Sequence, residues 1–289
     1  MAHPETGGPA GPGGVHADWL DACRRATAGL RAMLARHPST RERAEETGTR
    51  GEGGDRTLVI DQAAEDAVFA ELDRLHAAGR RFVAISEERG EVDYGDPGVR
   101  VVVDPIDGSL NAKRGITHHC LSVAVAEGDT MADVVFGYVH DLGPDEEWVA
   151  SRGAGASRNQ RVLDTAPRER RVDGGKLEML GIESADPRWV ADAADDLRDS
   201  AHRLRAIGAI AISLCQVAAA RFDAMATLKR CRAVDAAAGQ LIVREAGGVV
   251  AFTSYDDPLA APLDVVPRSP VIAARTERAL SELRALPRA

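Results

Sequence analysis

The sequence has few cysteines and few aromatic residues, and it lacks long hydrophobic runs and an excess of positive charge. Its 289 residues include four cysteines with no C-x-x-C spacing, which argues against a zinc site and a disulfide framework. No run approaches the roughly 18 apolar residues of a transmembrane helix, so no membrane contact is predicted. The formal charge of −9 disfavours a nucleic-acid-binding protein, because such binding depends on a basic surface.

The N-terminal segment also lacks hydrophobic residues. Residues 1–15 are rich in Gly and Pro and contain nothing like the apolar core of a secretory signal, so we expect a disordered tail and a cytoplasmic location. Residues 16–289 are enough for one large domain with a sizeable core, which we divide into halves at 16–160 and 161–289.

Helix-like and strand-like patterns alternate along the chain, which predicts a layered α+β architecture. Apolar residues from Trp19 to Leu34 fall on one helical face. The charged, Gly-rich residues 39–55 predict a mobile loop. An amphipathic helix is predicted after it, with Asp61 at the N-cap position.

The remaining elements are predicted from short apolar runs and helical spacing. The predicted strands are RFVAIS, VRVVVD, the antiparallel pair CLSVAVAEG and DVVFGYVHD, KLEMLGIES, VVAF and SPVIAA. Residues 151–175 predict a basic loop. The predicted helices are DPRWVADAADDLRDS, AIGAIAISLCQVAAARFDAMA, VDAAAGQLIVREAGG and TERALSELRAL.

The segment VVVDPIDGSLNAKRG carries the strongest chemical signal. A hydrophobic strand leads to Asp104 and Asp107 on a tight turn, where two carboxylates can converge on one hard cation. The amide N–H groups of residues 108–110, at the start of a predicted helix, can face an anion beside that cation. Asp-Pro and Asp-Gly are also common turn dipeptides, but here both occur within four residues after an apolar strand.

Further acidic residues lie at other element ends. Glu87 and Glu88 follow the strand RFVAIS, and Asp235 begins a predicted helix, where an Asp can also serve as a simple cap. Carboxylates at several strand and helix ends are typical of a multi-metal phosphoryl-transfer site.

Together, the segments ISEER, DPIDGSLNAKRG and VDAAAGQLIVREAGG resemble the inositol monophosphatase family of magnesium-dependent phosphatases, over about residues 18–280. The resemblance implies a layered α-β-α-β-α fold, two or three Mg²⁺ ions and a homodimer. It also places most of the metal site in residues 16–160, with 161–289 completing it.

The resemblance assigns roles to individual residues. The metal-ligating positions of the family match Glu87, Asp104, Asp107 and Asp235, together with the backbone carbonyl of Ile106. Asp61 and Ser109 match the residues that hold the attacking water, and Glu87 joins them in the catalytic set. Gly108 and Ser109 would donate N–H groups to the phosphate.

The substrate-binding region departs from the inositol-specific pattern. Leu228 stands seven residues before Asp235, where most members have an acidic residue. The flanking sequence is basic, which resembles the archaeal-type fructose-1,6-bisphosphatase/inositol monophosphatase branch. A second phosphate could be bound by Lys113, Arg114, Lys229 or Arg230, although these four could equally be solvated surface charges.

These observations predict a Mg²⁺-dependent phosphomonoesterase acting on inositol 1-phosphate, fructose 1,6-bisphosphate or both. One alternative is an adenosine 3′,5′-bisphosphate 3′-phosphatase. The sequence disfavours it, because five Phe, three Trp and three Tyr residues offer little for stacking on adenine. Another alternative is a catalytically weak binding or regulatory protein that keeps the fold, which the intact set of five carboxylates disfavours.

Overall fold

The computed structural model describes residues 14, 16–43, 46–50, 56–166, 168–172 and 174–286. The predicted tail therefore lies outside the described residues, apart from Gly14. Residues 44, 45 and 51–55 of the predicted loop also lie outside them. The described part of that loop contains a short helix and a strand, so the prediction of a loop at residues 40–43 and 46–50 was wrong.

The chain alternates helices with short strands. The helices described are α1 (Ala17–Arg36), α2 (Thr40–Arg43), α3 (Val59–Ala77), α4 (Ser109–Arg114), α5 (Pro187–Asp192), α6 (Ala194–Ser200), α7 (Ile210–Ala218), α8 (Ala233–Glu245) and α9 (Glu277–Leu283). The strands described are β1 (Glu46–Arg50), β2 (Arg56–Leu58), β3 (Val83–Ser86), β4 (Gly90–Asp93), β5 (Arg100–Asp107), β6 (Cys120–Ala126), β7 (Val134–Asp141), β8 (Glu146–Ser151), β9 (Gly155–Arg158), β10 (Arg161–Val162), β11 (Leu177–Glu183), β12 (Ala201–Arg205), β13 (Ala224–Thr227), β14 (Val249–Phe252) and β15 (Val271–Ala274).

Two large sheets organise the molecule. The first has eight strands in the order β10-β9-β8-β7-β6-β5-β3-β4, and the second has five in the order β12-β11-β13-β15-β14. β1 and β2 form a separate antiparallel pair. In the first sheet β3 and β5 are parallel, so the chain leaves both strands at the same edge of the sheet.

Helices cover both faces of each sheet and produce five layers. Along β5, Val101 and Val103 pack in one core with α1 and α3, whereas Val102 packs in a second core with α7 and α8. This follows from the alternation of side chains along a strand. The second core continues into the five-stranded sheet, whose other face packs against α5, α6 and α9. The layered α-β-α-β-α prediction is confirmed.

Two predicted helix boundaries were wrong. α3 begins at Val59, so Asp61 lies inside its first turn rather than at the N-cap. The long helix predicted from Ala206 to Ala226 is instead the nine-residue α7 followed by β13. Helical periodicity cannot identify β13, whose AMAT sequence becomes a strand because it pairs with β11 and β15.

Two other predictions differ in detail. The helix predicted for DPRWVADAADDLRDS is two helices that meet at Ala193. The predicted loop over residues 151–175 includes β9 and β10, which extend the eight-stranded sheet. The boundary between the two halves at residue 160 stays a prediction.

The absences noted in the sequence have structural counterparts. All four cysteines are buried free thiols, so the chain uses them as small apolar residues. Among the described residues, no helix has the length and hydrophobicity needed to cross a membrane.

Candidate active site

A β-bulge at the end of β5 brings its two aspartates to one cleft. Residues three apart in a regular strand face opposite sides of a sheet. Here Asp104 pairs with Ser122 and Asp107 pairs with Cys120, so β5 has one more residue than β6 over this stretch. Because of the extra residue, the side chains of both aspartates point to the same side of the sheet and line the same cleft.

Each of these aspartates is held by backbone N–H groups. The Asp104 carboxylate accepts a hydrogen bond from the Ile106 amide at 3.0 Å. Asp107 accepts hydrogen bonds from the first residues of α7, at 3.3 Å from Ile210 and 2.7 Å from Ala211. The N-terminus of α7 therefore fixes the orientation of the Asp107 side chain and offers partial positive charge to it.

Two more carboxylates reach the cleft from other elements. Glu87 directly follows β3, which is parallel to β5, so both strands deliver acidic residues at the same edge of the sheet. Asp235 lies in the first turn of α8 and accepts a hydrogen bond from the Arg232 amide at 2.7 Å. Four carboxylates therefore converge on a cleft of about 280 Å³.

Most of the other predicted site residues line this cleft. Asp61 enters it from the first turn of α3 and Lys113 from α4. Gly108, between β5 and α4, has a φ of +86°, and a Cβ there would lie 3.0 Å from the His118 carbonyl oxygen. Only a glycine therefore fits this turn without strain. The cleft lining also includes Ile106, Ser109, Glu88, Pro105, Leu110 and Arg232.

The other three basic residues that the sequence predicts to bind a second phosphate lie outside the cleft. Lys229 and Arg230 line an adjoining cavity of about 600 Å³, which shares Asp107, Arg232 and Asp235 with the first. The Lys229 ammonium lies 5.2 Å from the ring centroid of Trp189, a cation–π distance. Arg114, at the exposed end of α4, lines neither of these two cavities.

Burial and mutual repulsion disfavour ionisation of the clustered carboxyl groups. Burial raises the pKa of Asp104 and Asp107 well above the usual value, and neighbouring carboxylates raise both further. Burial also raises the pKa of Glu87, to about 7, although the Arg232 guanidinium opposes this rise. The cleft therefore favours added positive charge.

The chemistry of the donor set fits a hard divalent cation. Carboxylate and carbonyl oxygens are the ligands that Mg²⁺ prefers. The cleft lining contains six acidic side chains and two basic ones, Lys113 and Arg232, which leaves a formal excess of negative charge. Within the described part of the chain, no three His, Cys, Asp or Glu side chains already stand close enough to enclose an ion. The Arg232 guanidinium instead contacts Glu87 at 2.5 Å and Asp235 at 3.4 Å.

Sequence reasoning missed Arg232 and Glu183. Arg232 was considered only as part of a basic stretch, yet it is the N-cap residue of α8 and its side chain turns into the cleft. Its position three residues before Asp235 was the available signal, since residues at this spacing share a helix face. Glu183 ends β11 and accepts hydrogen bonds from Ile207, Gly208 and Ser213. No motif in the sequence indicates this role of Glu183.

Known proteins resemble this chain over most of its length. The model of the inositol monophosphatase family matches residues 18–287. The fructose-1,6-bisphosphatase/inositol-1-monophosphatase of Methanothermobacter thermautotrophicus is 33% identical over 69% of this chain and 72% of its own. The Nus factor SuhB of Xylella fastidiosa is 34% identical over 69% and 70%, respectively.

A solved structure has the same architecture. The extragenic suppressor protein suhB of Bartonella henselae superposes with a TM-score of 0.75 and 25% identity, covering 95% of this chain and 98% of that one. Together with the family match and the acidic cleft, this likeness leads to one assignment. The chain belongs to the inositol monophosphatase family.

Proposed function

We propose that this protein is a Mg²⁺-dependent phosphomonoesterase that hydrolyses a small polyol or sugar phosphate. The observation that carries the proposal is the convergence of four carboxylates from β3, β5 and α8 on one cleft beside the Gly108 turn. A site of this kind suits an anionic substrate only after cations have been added, and the family is generally metal-dependent. Inositol 1-phosphate and fructose 1,6-bisphosphate are the leading substrates, consistent with the name of the Methanothermobacter relative, a fructose-1,6-bisphosphatase/inositol-1-monophosphatase.

The proposed metal ligands line the cleft. Two or three Mg²⁺ ions would be held by Glu87, Asp104, Asp107, Asp235 and the carbonyl of Ile106. Bound Mg²⁺ supplies Lewis acidity, which lowers the pKa of water and neutralises charge on phosphate oxygens. Glu87 and Asp235 come from different elements, so the metal site would bring together parts of the chain that are far apart in sequence.

The remaining lining residues would position the reactants. Asp61 and Ser109 would orient the attacking water, with Glu87 alongside, because a carboxylate and a hydroxyl can fix both its proton and its lone pair. The amide N–H groups of Gly108 and Ser109 would donate hydrogen bonds to the phosphate oxygens. The buried floor of Asp104 and Asp107 would exclude bulk water from one side of the reacting phosphate.

The adjoining cavity extends the proposal to substrates with a second phosphate. Lys229 and Arg230 line that cavity, and Lys113 lines the cleft itself, so a bisphosphate could span the two. Arg114 is the weakest of the predicted phosphate-binding residues, because it lines neither cavity.

A substrate panel tests the proposed activity. Phosphate release is measured with Mg²⁺ for inositol 1-phosphate, fructose 1,6-bisphosphate and adenosine 3′,5′-bisphosphate. We expect turnover of one or both of the first two and little of the third, since the cleft lining contains no aromatic residue among those described. Preferential turnover of the adenosine compound would overturn the substrate assignment.

The role of the adjoining cavity is tested by Lys229→Ala. Removing its ammonium should raise KM for fructose 1,6-bisphosphate more than for inositol 1-phosphate, because only the former has a second phosphate to lose a partner. Lys176→Ala serves as the control, because Lys176 directly precedes β11 and does not line the adjoining cavity. Equal effects of Lys229→Ala on both substrates would remove this residue from substrate recognition.

The assembly and location of the protein are also part of the proposal. The family resemblance supports a homodimer in the cytoplasm, which light scattering and cell fractionation can test.

A further inference from the structure

The Arg232 guanidinium lies inside the acidic cleft and not at its surface. Its Nη1 contacts Glu87 at 2.5 Å and its Nη2 contacts Asp235 at 3.4 Å, and only 18% of the side chain is exposed. Although burial alone would lower the pKa of this guanidinium, the carboxylates of Asp235, Glu87 and Asp104 raise it. Arg232 therefore stays positively charged at every pH at which the protein is folded.

Arg232 links two parts of the site that are distant in sequence. Glu87 follows β3, and Asp235 lies in the first turn of α8. The Arg232 guanidinium contacts both, and it is 145 residues from Glu87 in the sequence. The Arg232 main chain is anchored separately, since its amide N–H donates to Asp235 at 2.7 Å. This backbone hydrogen bond at the N-cap of α8 does not involve the guanidinium.

The two carboxylates that Arg232 contacts belong to residues that are also proposed to ligate metal. A carboxylate oxygen that accepts a short hydrogen bond from a guanidinium cannot at the same time point its lone pair at a divalent cation in the same direction. The Arg232 guanidinium and a divalent cation from solution would therefore compete for the carboxylates of Glu87 and Asp235.

We propose that Arg232 is an internal counter-cation that holds Glu87 and Asp235 together in the metal-free protein and competes with a divalent cation for them. This inference rests on the proposed metal-dependent function. It assigns Arg232 a positioning role with two consequences. The metal-free cleft is stabilised by Arg232, and metal affinity is lower than the four carboxylates alone would give.

The test compares metal binding and stability among variants of the full chain. Arg232→Gln removes the charge, and Arg232→Lys keeps it. Arg230→Gln removes the same charge from an exposed position two residues away. Mn²⁺ and Mg²⁺ binding is measured by isothermal titration calorimetry, and thermal unfolding is measured in EDTA and in saturating Mg²⁺.

We expect Arg232→Gln to bind Mn²⁺ about tenfold more tightly than the unmodified protein, because a competing charge next to two ligands has been removed. Arg232→Lys and Arg230→Gln should change the affinity by less than about threefold. In EDTA, Arg232→Gln should have a lower Tm than the unmodified protein, because it leaves buried carboxylates without their cation. Saturating Mg²⁺ should reduce that difference.

The outcomes separate this inference from the proposed function. If Arg232→Gln binds Mn²⁺ with unchanged or weaker affinity, the competition is refuted while the metal-dependent function stands. If the unmodified protein binds neither Mn²⁺ nor Mg²⁺, the proposed function itself fails, and this inference fails with it. If Arg232→Lys tightens metal binding as much as Arg232→Gln, the effect is one of side-chain bulk, and the role of charge is refuted.

Discussion

At the scale of single residues, buried carboxylates determine how the site is held. Glu183 is 2% exposed and lines the cavity that adjoins the cleft. It accepts hydrogen bonds from the amides of Ile207 and Gly208, both at 3.0 Å. The carbonyl of Ile207 in turn accepts a hydrogen bond from Asn111 at 2.8 Å, which ties this loop to α4. Glu183 therefore supports the loop that leads into α7 and, through it, Asp107.

The titration of Glu183 leads to a testable pH dependence. Burial raises its pKa to about 7, even though three hydrogen bonds favour the ionised form. Because the folded-state pKa lies above the unfolded value of about 4.3, the folded state binds the proton more tightly. The contribution of this group to stability therefore falls as pH rises from about 4.3 through 7.

Replacing Glu183 with Gln removes this titration. We expect the Tm difference between the unmodified protein and Glu183→Gln to narrow by a few degrees from pH 5 to pH 8, measured by differential scanning calorimetry. Glu178→Gln, on the exposed side of the same strand, serves as the control. A Tm difference between the unmodified protein and Glu183→Gln that is the same at every pH would contradict the raised pKa of Glu183.

At the scale of elements, α7 and α8 connect the cleft to a second polar cluster. The N-terminus of α7 faces Asp107, and the first turn of α8 contains Asp235. The C-terminal ends of the two helices meet at Arg275. Its guanidinium donates to the carbonyls of Ala218 at 3.2 Å and Ala246 at 3.0 Å. Arg275 is 1% exposed, and so it caps two helix C-termini at once with a buried charge.

Replacing Arg275 with Met should destabilise the fold. The side chain keeps its apolar stem but leaves the buried carbonyls without their donor, so we expect a loss of about 2–4 kcal/mol in the free energy of unfolding. Urea denaturation measures it, and the loss should be the same with and without Mg²⁺. Arg278→Ala, which breaks an exposed ion pair with Glu282, should cost less than about 1 kcal/mol. A loss that small for Arg275→Met would refute the double cap.

The sequence allowed most of the elements to be predicted but not all of their limits. β5, β6 and β7 are apolar runs with clear ends, and their strands were predicted correctly. β13 could not be predicted, because its Ala- and Met-rich sequence becomes a strand only through pairing with β11 and β15. The carboxylates could be gathered into one site because they sit at element ends, whereas the bulge between Asp104 and Asp107 depends on pairing with β6 and has no sequence signal.

At the scale of the whole molecule, the formal charge of −9 is consistent with binding a phosphate because of where the carboxylates lie. Six of them line one cleft, together with only two positively charged side chains, those of Lys113 and Arg232. Two divalent cations would turn this local excess of negative charge into a site that attracts a phosphate dianion. The metal-free protein should therefore bind the substrate poorly, even though its fold is complete.

The central claim is most directly tested by measuring phosphate release with Mg²⁺, with EDTA and in Asp107→Asn. We predict turnover of inositol 1-phosphate or fructose 1,6-bisphosphate that requires Mg²⁺ and falls by at least about 100-fold in Asp107→Asn, because a proposed metal ligand loses its charge. The amide oxygen of Asn can still accept one of the two hydrogen bonds from α7, and circular dichroism checks that the variant is folded. Asp195→Asn, in an exposed ion pair, should behave like the unmodified protein. Turnover that persists unchanged in EDTA, or in folded Asp107→Asn, would contradict the account.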